Sequence, residues 1–532
     1  MAAREASVHR ADLPSDVSAR IGRPLSDLPT PSCVVDVHPM RSNIARIYTL
    51  YASTSGRIGI RWHLKTHKTW QATREMLRPA YADEQGTNRR DAVALAAETC
   101  DDARGTDRAI VSTLAELQGL LTDGIVNGAK SSILSQVLYG LPLSPGRIPR
   151  LAAIRAEYKR AFGSAVEKEN GTTKGKPTEV QILLDDVQQI EALEAFTKQQ
   201  QPSADQPWQA FIKVDCGYRR AGVPFETNQL TNVLHKALAS PAIHLVGFYT
   251  HAGHSYGSRS HSDASSMLST EINAVSSAAK EAHSILRSSS SSASRHPNQS
   301  IEQIFTLSVG ATPTFHAGRD SSSSVWNQIL SSLPPSTSLE LHAGNAPFLD
   351  LQQVATRLND PDAISRCAVT VLSEIISVYP RRRPQVLSLS SEEASHQAEQ
   401  SSEGYWDEAL CDAAGTALSK DTGPFSGHGH VYYPKDLRGW KLDRISQEHG
   451  VLAIRDGQVE EWEREWGVDV QKERGKWIKG APRAFKVGEK IRIVPQHACM
   501  VAAAHEFLYV VDSSDQSGGG TIADVWRPWK GW

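Results

Sequence analysis

Short β-branched runs alternate with amphipathic helical stretches over the first two-thirds of the chain, and that alternation leaves few folds open. The runs are CVVDV (33–37), RAIVS (108–112), VQILLD (180–185), FIKVD (211–215), HLVGFYT (244–250) and IFTLSVG (304–310). Between them lie helical patterns such as NIARIYTLY (43–51), in which Ile44, Ile47 and Tyr51 share one face. Thr113 and Glu116 have capping-box spacing ahead of Leu117, Leu120 and Leu121, and Asp123-Gly124 reads as the turn that ends this helix. Strand, helix and strand in succession imply parallel pairing, because parallel neighbours need a crossover. Six or more such units predict a closed (β/α)8 barrel rather than a small open sheet.

The last third follows a different pattern. Shorter strands with turns appear in RCAVTVLSEIISVYP, GHGHVYYP, GVLAIRDGQ, KIRIVPQHACM and EFLYVVD. With 532 residues the chain is long for one domain. The expected division is a barrel over 28–336 and a C-terminal β-rich domain over 337–532, which residues 1–27 could join. Polar tracts at 165–178, 287–300 and 388–406 read as surface insertions without chemistry. Tryptophans gather late, at 440, 462, 466, 477, 526, 529 and 532, and are expected as core or interface filler.

Composition removes several function classes. A net charge of -2 argues against a nucleic-acid partner, which would select a basic surface. No apolar run approaches the roughly 18 residues a membrane span needs, and the start, MAAREASVHRADLP, has no apolar signal core. Cys33, Cys100, Cys216, Cys367, Cys411 and Cys499 are scattered, unlike a disulfide framework, so a reducing cytoplasm is expected.

Several segments carry candidate chemistry. RWHLKTHKTW (61–70) places two lysines and two histidines within six positions. A Schiff-base lysine must be neutral part of the time, and burial with cationic neighbours favours that state. A solvated loop explains the segment equally, and composition does not separate Lys65 from Lys68. Asp215-Cys216-Gly217, with Arg220 and Gly222, follows a strand, where barrels carry their chemistry; a surface ion pair is the ordinary fate of such an arginine. Tyr249 to Tyr256 also follows a strand, and its rings and hydroxyls suit an aromatic phosphorylated ligand, with core packing as the plain alternative. Ser308, Gly310, Ala311 and Thr312 form a small-residue turn through which backbone amides can approach a phosphate. His497 and Cys499 lie two apart; if extended, they share a face and could ligate one ion, best Zn²⁺.

Taken in order, these segments resemble the eukaryotic-type D-serine dehydratases and their D-threonine aldolase relatives, within the alanine-racemase-like pyridoxal-phosphate enzymes. The match runs through LPTPSCVVDVHPMRSNI, the lysine segment, DCGYRRAGVP, GFYTHAGHSY, SVGATPT and VPQHAC, and so covers most of the chain. The resemblance implies a barrel holding pyridoxal 5'-phosphate, a β domain and a homodimer. It implies that Lys65 carries the cofactor and that Arg220 approaches its phenolate oxygen. It further implies that Tyr249 and Tyr256 contact the cofactor, and that His497 and Cys499 hold zinc. The role of His254 stays open. Aldolases carry aspartate where this chain has Cys499, which favours elimination of water from D-serine to give pyruvate and ammonia. The alternatives are a D-threonine aldolase, a dehydratase of another 3-hydroxy D-amino acid such as D-threo-3-hydroxyaspartate, or a non-catalytic cofactor-binding protein. Two departures stand out: Trp62 replaces a proline, and Ala346 replaces a tyrosine after Gly344-Asn345.

Overall fold

The computed structural model describes residues 13–54, 57–77, 106–126, 134–162, 167–169, 172–174, 178–200, 206–289, 297–356, 363–382, 406–454 and 484–532. These form two compact units. One contains Arg41–Pro347 and Trp529–Trp532, the other Leu13–Met40 and Phe348–Pro528. Strand β1 (Ser32–Asp36) belongs to the second unit.

Eight parallel strands build the first unit: β2 (Ile58–His63), β3 (Arg108–Val111), β4 (Gln136–Pro142), β5 (Glu179–Leu184), β6 (Trp208–Asp215), β7 (Ile243–Tyr249), β8 (Phe305–Val309) and β9 (Thr337–Ala343). Each pairs with the next, and β9 pairs with β2, so the sheet closes. Helices follow the strands, including Leu114–Val126 after β3 and Thr312–Asp320 after β8. This is the expected (β/α)8 barrel. Three of its strands, β2, β4 and β9, were not among the expected runs. Arg61 and His63 interrupt β2, and Gln136 and Gly140 interrupt β4. Glu340 and His342 interrupt β9.

Period-two alternation fills the barrel in layers. The lowest is polar. Arg61 Nε donates to Glu340 Oε1 at 2.6 Å, while its other nitrogens reach Gln181 and Gln136. Arg108 Nη1 donates to Glu340 Oε2 at 3.0 Å, and Gln181 donates to Gln209. Two residues further along those strands, Ile110, Leu138, Leu183 and Phe211 pack with Tyr249. Two further again, Ser112, Gly140 and Lys213 reach the C-terminal mouth, where they meet His63 and His342, two residues beyond Arg61 and Glu340.

The division of the chain differs from the expected one. Thr337–Ala343 completes the barrel, so the boundary falls after Pro347 rather than after 336. Residues 28–40 lie in the β-rich unit, because β1 pairs there on both edges. Every residue of β1 is buried, and a short continuous apolar run does not reveal which sheet it joins. The helix after Thr113 also runs on through Asp123-Gly124 to Val126.

The second unit is built on β10 (Val369–Arg382), β11 (Trp406–Cys411), β12 (Gly429–Tyr433), β13 (Lys441–Ile445), β14 (Gly450–Ile454), β15 (Lys490–Pro495), β16 (Leu508–Val511) and β17 (Asp524–Trp526). Strands β10, β11, β14, β13, β12 and β15 close an antiparallel barrel, since β10 pairs with both β11 and β15. Strands β1, β16 and β17 extend the sheet from β10. Of the polar tracts, 167–169 and 172–174 pair as a hairpin, and the helix His261–Ser289 enters the second tract. Residues 290–296 and 388–405, together with Trp462, Trp466, Trp477 and Cys100, lie outside the described residues.

Arg61 and Glu340 are both essentially buried, so removing Arg61 leaves the Glu340 carboxylate with Arg108 as its remaining ion-pair partner. Arg61→Met is expected to cost about 3–5 kcal/mol in urea unfolding. Burial pulls the Glu340 pKa up, but Arg61 and Arg108 outweigh it and hold it below the usual range. A lowered native pKa gives stability that is full above the ordinary carboxylate range and lost as pH falls through the native value. The gap between parent and variant should therefore narrow in acid.

Candidate active site

The mouth of the barrel begins where β2 ends. Leu64–Thr66 form a single 3₁₀ turn that carries Lys65, and His63 Nδ1 accepts from the Lys65 amide at 3.4 Å. Lys65 Cε lies close to Gly344: a Cβ on that glycine would stand 3.4 Å from it and 3.3 Å from His63 O. Lys68 is committed elsewhere. Its Nζ pairs with the buried Glu116 carboxylate at 3.2 Å. Geometry thus separates two lysines that composition left equivalent.

Three histidines surround Lys65. Burial, followed by the nearby cations, holds His63, His251 and His342 far below the ordinary imidazole range, so all three are neutral. Lys65 and Arg220 depress His63 and His251, and Lys213 depresses His342 and His251. Lys213 itself is pulled to about 8 by burial and Arg220, against Asp185, Cys216 and Asp215. Its Nζ stands 4.8 Å from the centre of the Tyr249 ring. Tyr249 stacks on His342 with centroids 4.3 Å apart, so one face of that ring is already covered. Burial raises the Tyr249 phenol. Arg220 lies over Tyr218, which in turn stacks on His254. Tyr256 is half-buried in the turn Gly253–Gly257.

Ser308 Oγ meets His342 Nδ1 at 3.1 Å. Gly310 has a φ of +141°, and a Cβ there would stand 2.3 Å from His342 O, so only glycine fits. Ala311 and Thr312 open the helix Thr312–Asp320. The Ala311 amide donates to Thr314 Oγ1 at 2.8 Å, and Glu271 engages the Gly310 amide. Two amides expected to face a phosphate are thus bonded within the protein. Glu271 also accepts from the Ala252 amide at 2.6 Å, tying the loops after β7 and β8 together.

The residues present fit a phosphorylated aromatic cofactor. His342 Nε2, His254 Nδ1 and Ser255 Oγ are buried without a hydrogen-bond partner among the described residues, and Lys65, Lys213 and Arg220 supply positive charge. The two departures fall outside this group or beside it. Trp62 points away from Arg61 and His63; its Nε1 donates to Tyr48 Oη at 3.1 Å, and its ring packs near Phe315. Ala346 is fully buried. Sequence reasoning missed His63, His251, His342, Lys213 and Glu271. Lys213 shares the inward face of β6 with Phe211, and Glu271 falls on the apolar helix face of Leu268, Ile272 and Val275; a polar residue on a buried face was the available signal.

The second unit holds the His497/Cys499 pair, in a different backbone from the one expected. Strand β15 stops at Pro495, His497 caps the helix Ala498–Ala504, and Cys499 sits in its first turn. The extended-strand reason for pairing them is therefore replaced by a helix start. Asp350 Oδ2 accepts from the Ala498 amide at 2.9 Å, and Asp421 Oδ2 lies 2.9 Å from His497 Nδ1. Burial pulls the His497 pKa down, but a hydrogen bond with Cys499 and the charges of Asp350 and Asp421 carry it up to about 9. Among the described residues, no cluster of three or more His, Cys, Asp or Glu side chains is placed to hold a metal. The donor set nevertheless fits zinc with an open shell: a half-buried thiol beside an imidazole, oriented by a carboxylate.

Comparison with known proteins gives the family. A model described as "Putative serine dehydratase domain" matches residues 368–511, and the alanine racemase N-terminal domain matches 91–307. The D-serine dehydratase of Schizosaccharomyces pombe is 31% identical over 519 residues, covering 96% of this chain and 94% of that protein. The chain belongs to the D-serine dehydratase family. Its Saccharomyces cerevisiae member is 29% identical over 97% of this chain and all of that protein. The family falls within the fold-type III pyridoxal-phosphate enzymes. Of solved structures, D-threo-3-hydroxyaspartate dehydratase from Delftia sp. HT23 matches 96% of this chain and 100% of its own, with a TM-score of 0.60 at 22% identity. A cysteine-to-alanine variant of a D-threo-3-hydroxyaspartate dehydratase has been solved in a metal-free form. Among the described residues, no helix is long and apolar enough to cross a membrane.

Burial raises the Glu271 pKa to about 7, against the amides of Ala252 and Gly310 and the Thr314 hydroxyl. A raised carboxylate favours the folded state while protonated, so stability falls as pH climbs from the ordinary carboxylate value to about 7. Glu271→Gln keeps an acceptor and cannot ionise. Its urea midpoint should exceed the parent's above pH 7 and converge with it in acid.

Proposed function

We propose that this protein is a pyridoxal-phosphate- and zinc-dependent D-serine dehydratase that eliminates water from D-serine and yields pyruvate and ammonia. The observation that carries the reading is identity of about 30% with two yeast D-serine dehydratases across the whole chain. Pyridoxal phosphate, when bound, supplies a ring that accepts the electron pair left on the α-carbon. Lys65 is the residue that would hold it and then take the α-proton on Nζ. The remaining proposed contacts are Arg220, Tyr249, Tyr256, Ser308 and Thr312, with Gly310 and Ala311 shaping the turn beside them rather than donating from their amides. The surrounding histidines are neutral, so they add no positive charge, while Lys213 and Arg220 favour an anionic ligand. Tyr249 on His342 and the Ser308 contact keep that imidazole fixed.

His497 and Cys499 would hold zinc, whose Lewis acidity suits a poor leaving group such as hydroxide. Asp421 on Nδ1 leaves Nε2 as the ligating nitrogen, and Asp350 fixes the start of the helix that carries Cys499. A cysteine-to-alanine variant of a D-threo-3-hydroxyaspartate dehydratase, solved in a metal-free form, supports this assignment. The scattered free cysteines support a cytoplasmic location, and the family resemblance supports a homodimer.

Mixing the purified protein with D-serine, L-serine, D-threonine or D-threo-3-hydroxyaspartate, with and without chelator, tests the reading. Pyruvate should form from D-serine alone among the serines, and chelation should suppress it. Glycine and acetaldehyde from D-threonine without pyruvate from D-serine would assign an aldolase. Faster turnover of the hydroxyaspartate would assign the Delftia type of activity, and no turnover at all would leave a binding protein. Cys499→Ala should lose zinc in elemental analysis and about 10³-fold in kcat/KM, the scale of several kcal/mol of Lewis-acid stabilisation. It should retain the absorbance of the lysine-bound cofactor.

A further inference from the structure

The turn after Lys65 is held in a conformation it would not choose. Lys68 has a φ of +52°, in the left-handed region that costs a residue with a side chain about 1–2 kcal/mol. Three bonds keep it there. Its amide donates to Leu64 O at 3.0 Å, spanning the Lys65 turn. Its Nζ pairs with Glu116 at 3.2 Å, and that carboxylate also takes the Ser112 amide at 2.8 Å. Its carbonyl accepts from the Trp529 amide at 2.7 Å.

Trp529 comes from more than four hundred residues away in sequence, and its site is built to receive it. The side chain is buried. Its Nε1 donates to Asp123 Oδ2 at 2.7 Å. The ring lies on Gly119, where a Cβ would stand 2.3 Å from Trp529 Cδ1 and Cγ. Arg150 Nη1 fastens the far end of the segment by donating to Trp532 O at 2.9 Å. Gly119 and Asp123 lie on one helix, Leu114–Val126, one turn apart. That spacing makes a groove closed by an acceptor, which suits an indole and no aliphatic side chain.

We propose that Trp529 is a positioning residue for Lys65: by clamping the Lys68 carbonyl it holds the turn in its left-handed form and so fixes where the Lys65 amine stands. The inference rests on the reading of Lys65 as the cofactor lysine. Trp529 touches no reacting group; it acts through the backbone of one turn.

The test compares Trp529→Ala, Trp529→Phe, Gly119→Val and Asp123→Asn with the parent. Each protein is stripped of cofactor and titrated with pyridoxal phosphate, following the absorbance band of the lysine-bound cofactor and the pH midpoint of that band. Losing one net hydrogen bond's worth of preorganisation corresponds to a change of up to about tenfold in affinity. Trp529→Ala and Gly119→Val are each expected to weaken binding by about that factor and to displace the pH midpoint. Trp529→Phe, which keeps a ring and the amide but loses the Asp123 bond, should fall between. Asp123→Asn should resemble Trp529→Phe, and those two decide the matter if the others do not fold. Unchanged affinity and midpoint in the folded variants, with only the melting temperature lowered, would reduce Trp529 to packing and overturn the proposal. Borohydride reduction of the parent followed by peptide mapping tests the underlying reading separately. A label away from Lys65 removes that reading, whereas a label on Lys65 with indifferent Trp529 variants removes only the clamp.

Discussion

The pair formed by Arg61 and Glu340 joins the first and last strands of the parallel barrel, and the site depends on that closure. Both side chains are buried, so the pair tolerates little change of register. A shift by one residue would turn Arg61 outward and bring Trp62 in. With the register fixed, the same alternation that puts Arg61 in the lowest layer puts His63 in the mouth, and Glu340 is followed inward by His342. Lys65 is then presented by the first turn beyond His63. The chemistry at the top of the barrel is placed by a salt bridge at the bottom.

The loops above the strands are held by buried carboxylates. Glu116 gathers the Ser112 amide and the Lys68 ammonium; Glu271 gathers the amides of Ala252 and Gly310. In the β-rich unit, Asp350 accepts from Gln353 and Ala498, so one side chain starts two helices, the second bearing Cys499. Loops carry exposed backbone donors that a strand would have satisfied. A carboxylate accepting two or more of them fixes a turn without a regular hydrogen-bond ladder. Each of these acids sits at the base of a segment carrying a candidate functional residue.

Much of this was legible beforehand and some was not, for physical reasons. The runs at 108–112, 180–185, 211–215, 244–250 and 304–310 are strands in which β-branched and other apolar residues predominate. Strands β2, β4 and β9 lack a clear strand pattern because most of their inward positions are polar or glycine, and a polar inward face erases the alternation by which strands are recognised. Those same polar positions build the mouth and its supporting layer. The run at 33–37 reads as a strand, but its sheet does not, since pairing partners 334 to 475 residues away leave no local trace. His497 and Cys499 were identifiable as a pair, yet Pro495 ends the strand before them and a helix start brings them together instead.

The electrostatics of the mouth constrain what can bind there. Lys65, Lys213 and Arg220 stand close enough to depress His63, His251 and His342, and burial completes the effect. Protonating any of the three histidines would add a further positive charge beside Lys65, Lys213 and the exposed Arg220, with Asp185 and Asp215 the acids that offset Lys213. Neutral imidazoles solve this by lining the cavity with groups that accept or donate a hydrogen bond and carry no charge. Lys213 responds to the same pressure, with a pKa drawn toward neutrality. An anionic ligand entering among them would offset positive charge as well as gain contacts. A neutral ligand of equal shape would gain the contacts alone. The mouth thus selects for negative charge before any single hydrogen bond to the ligand is made.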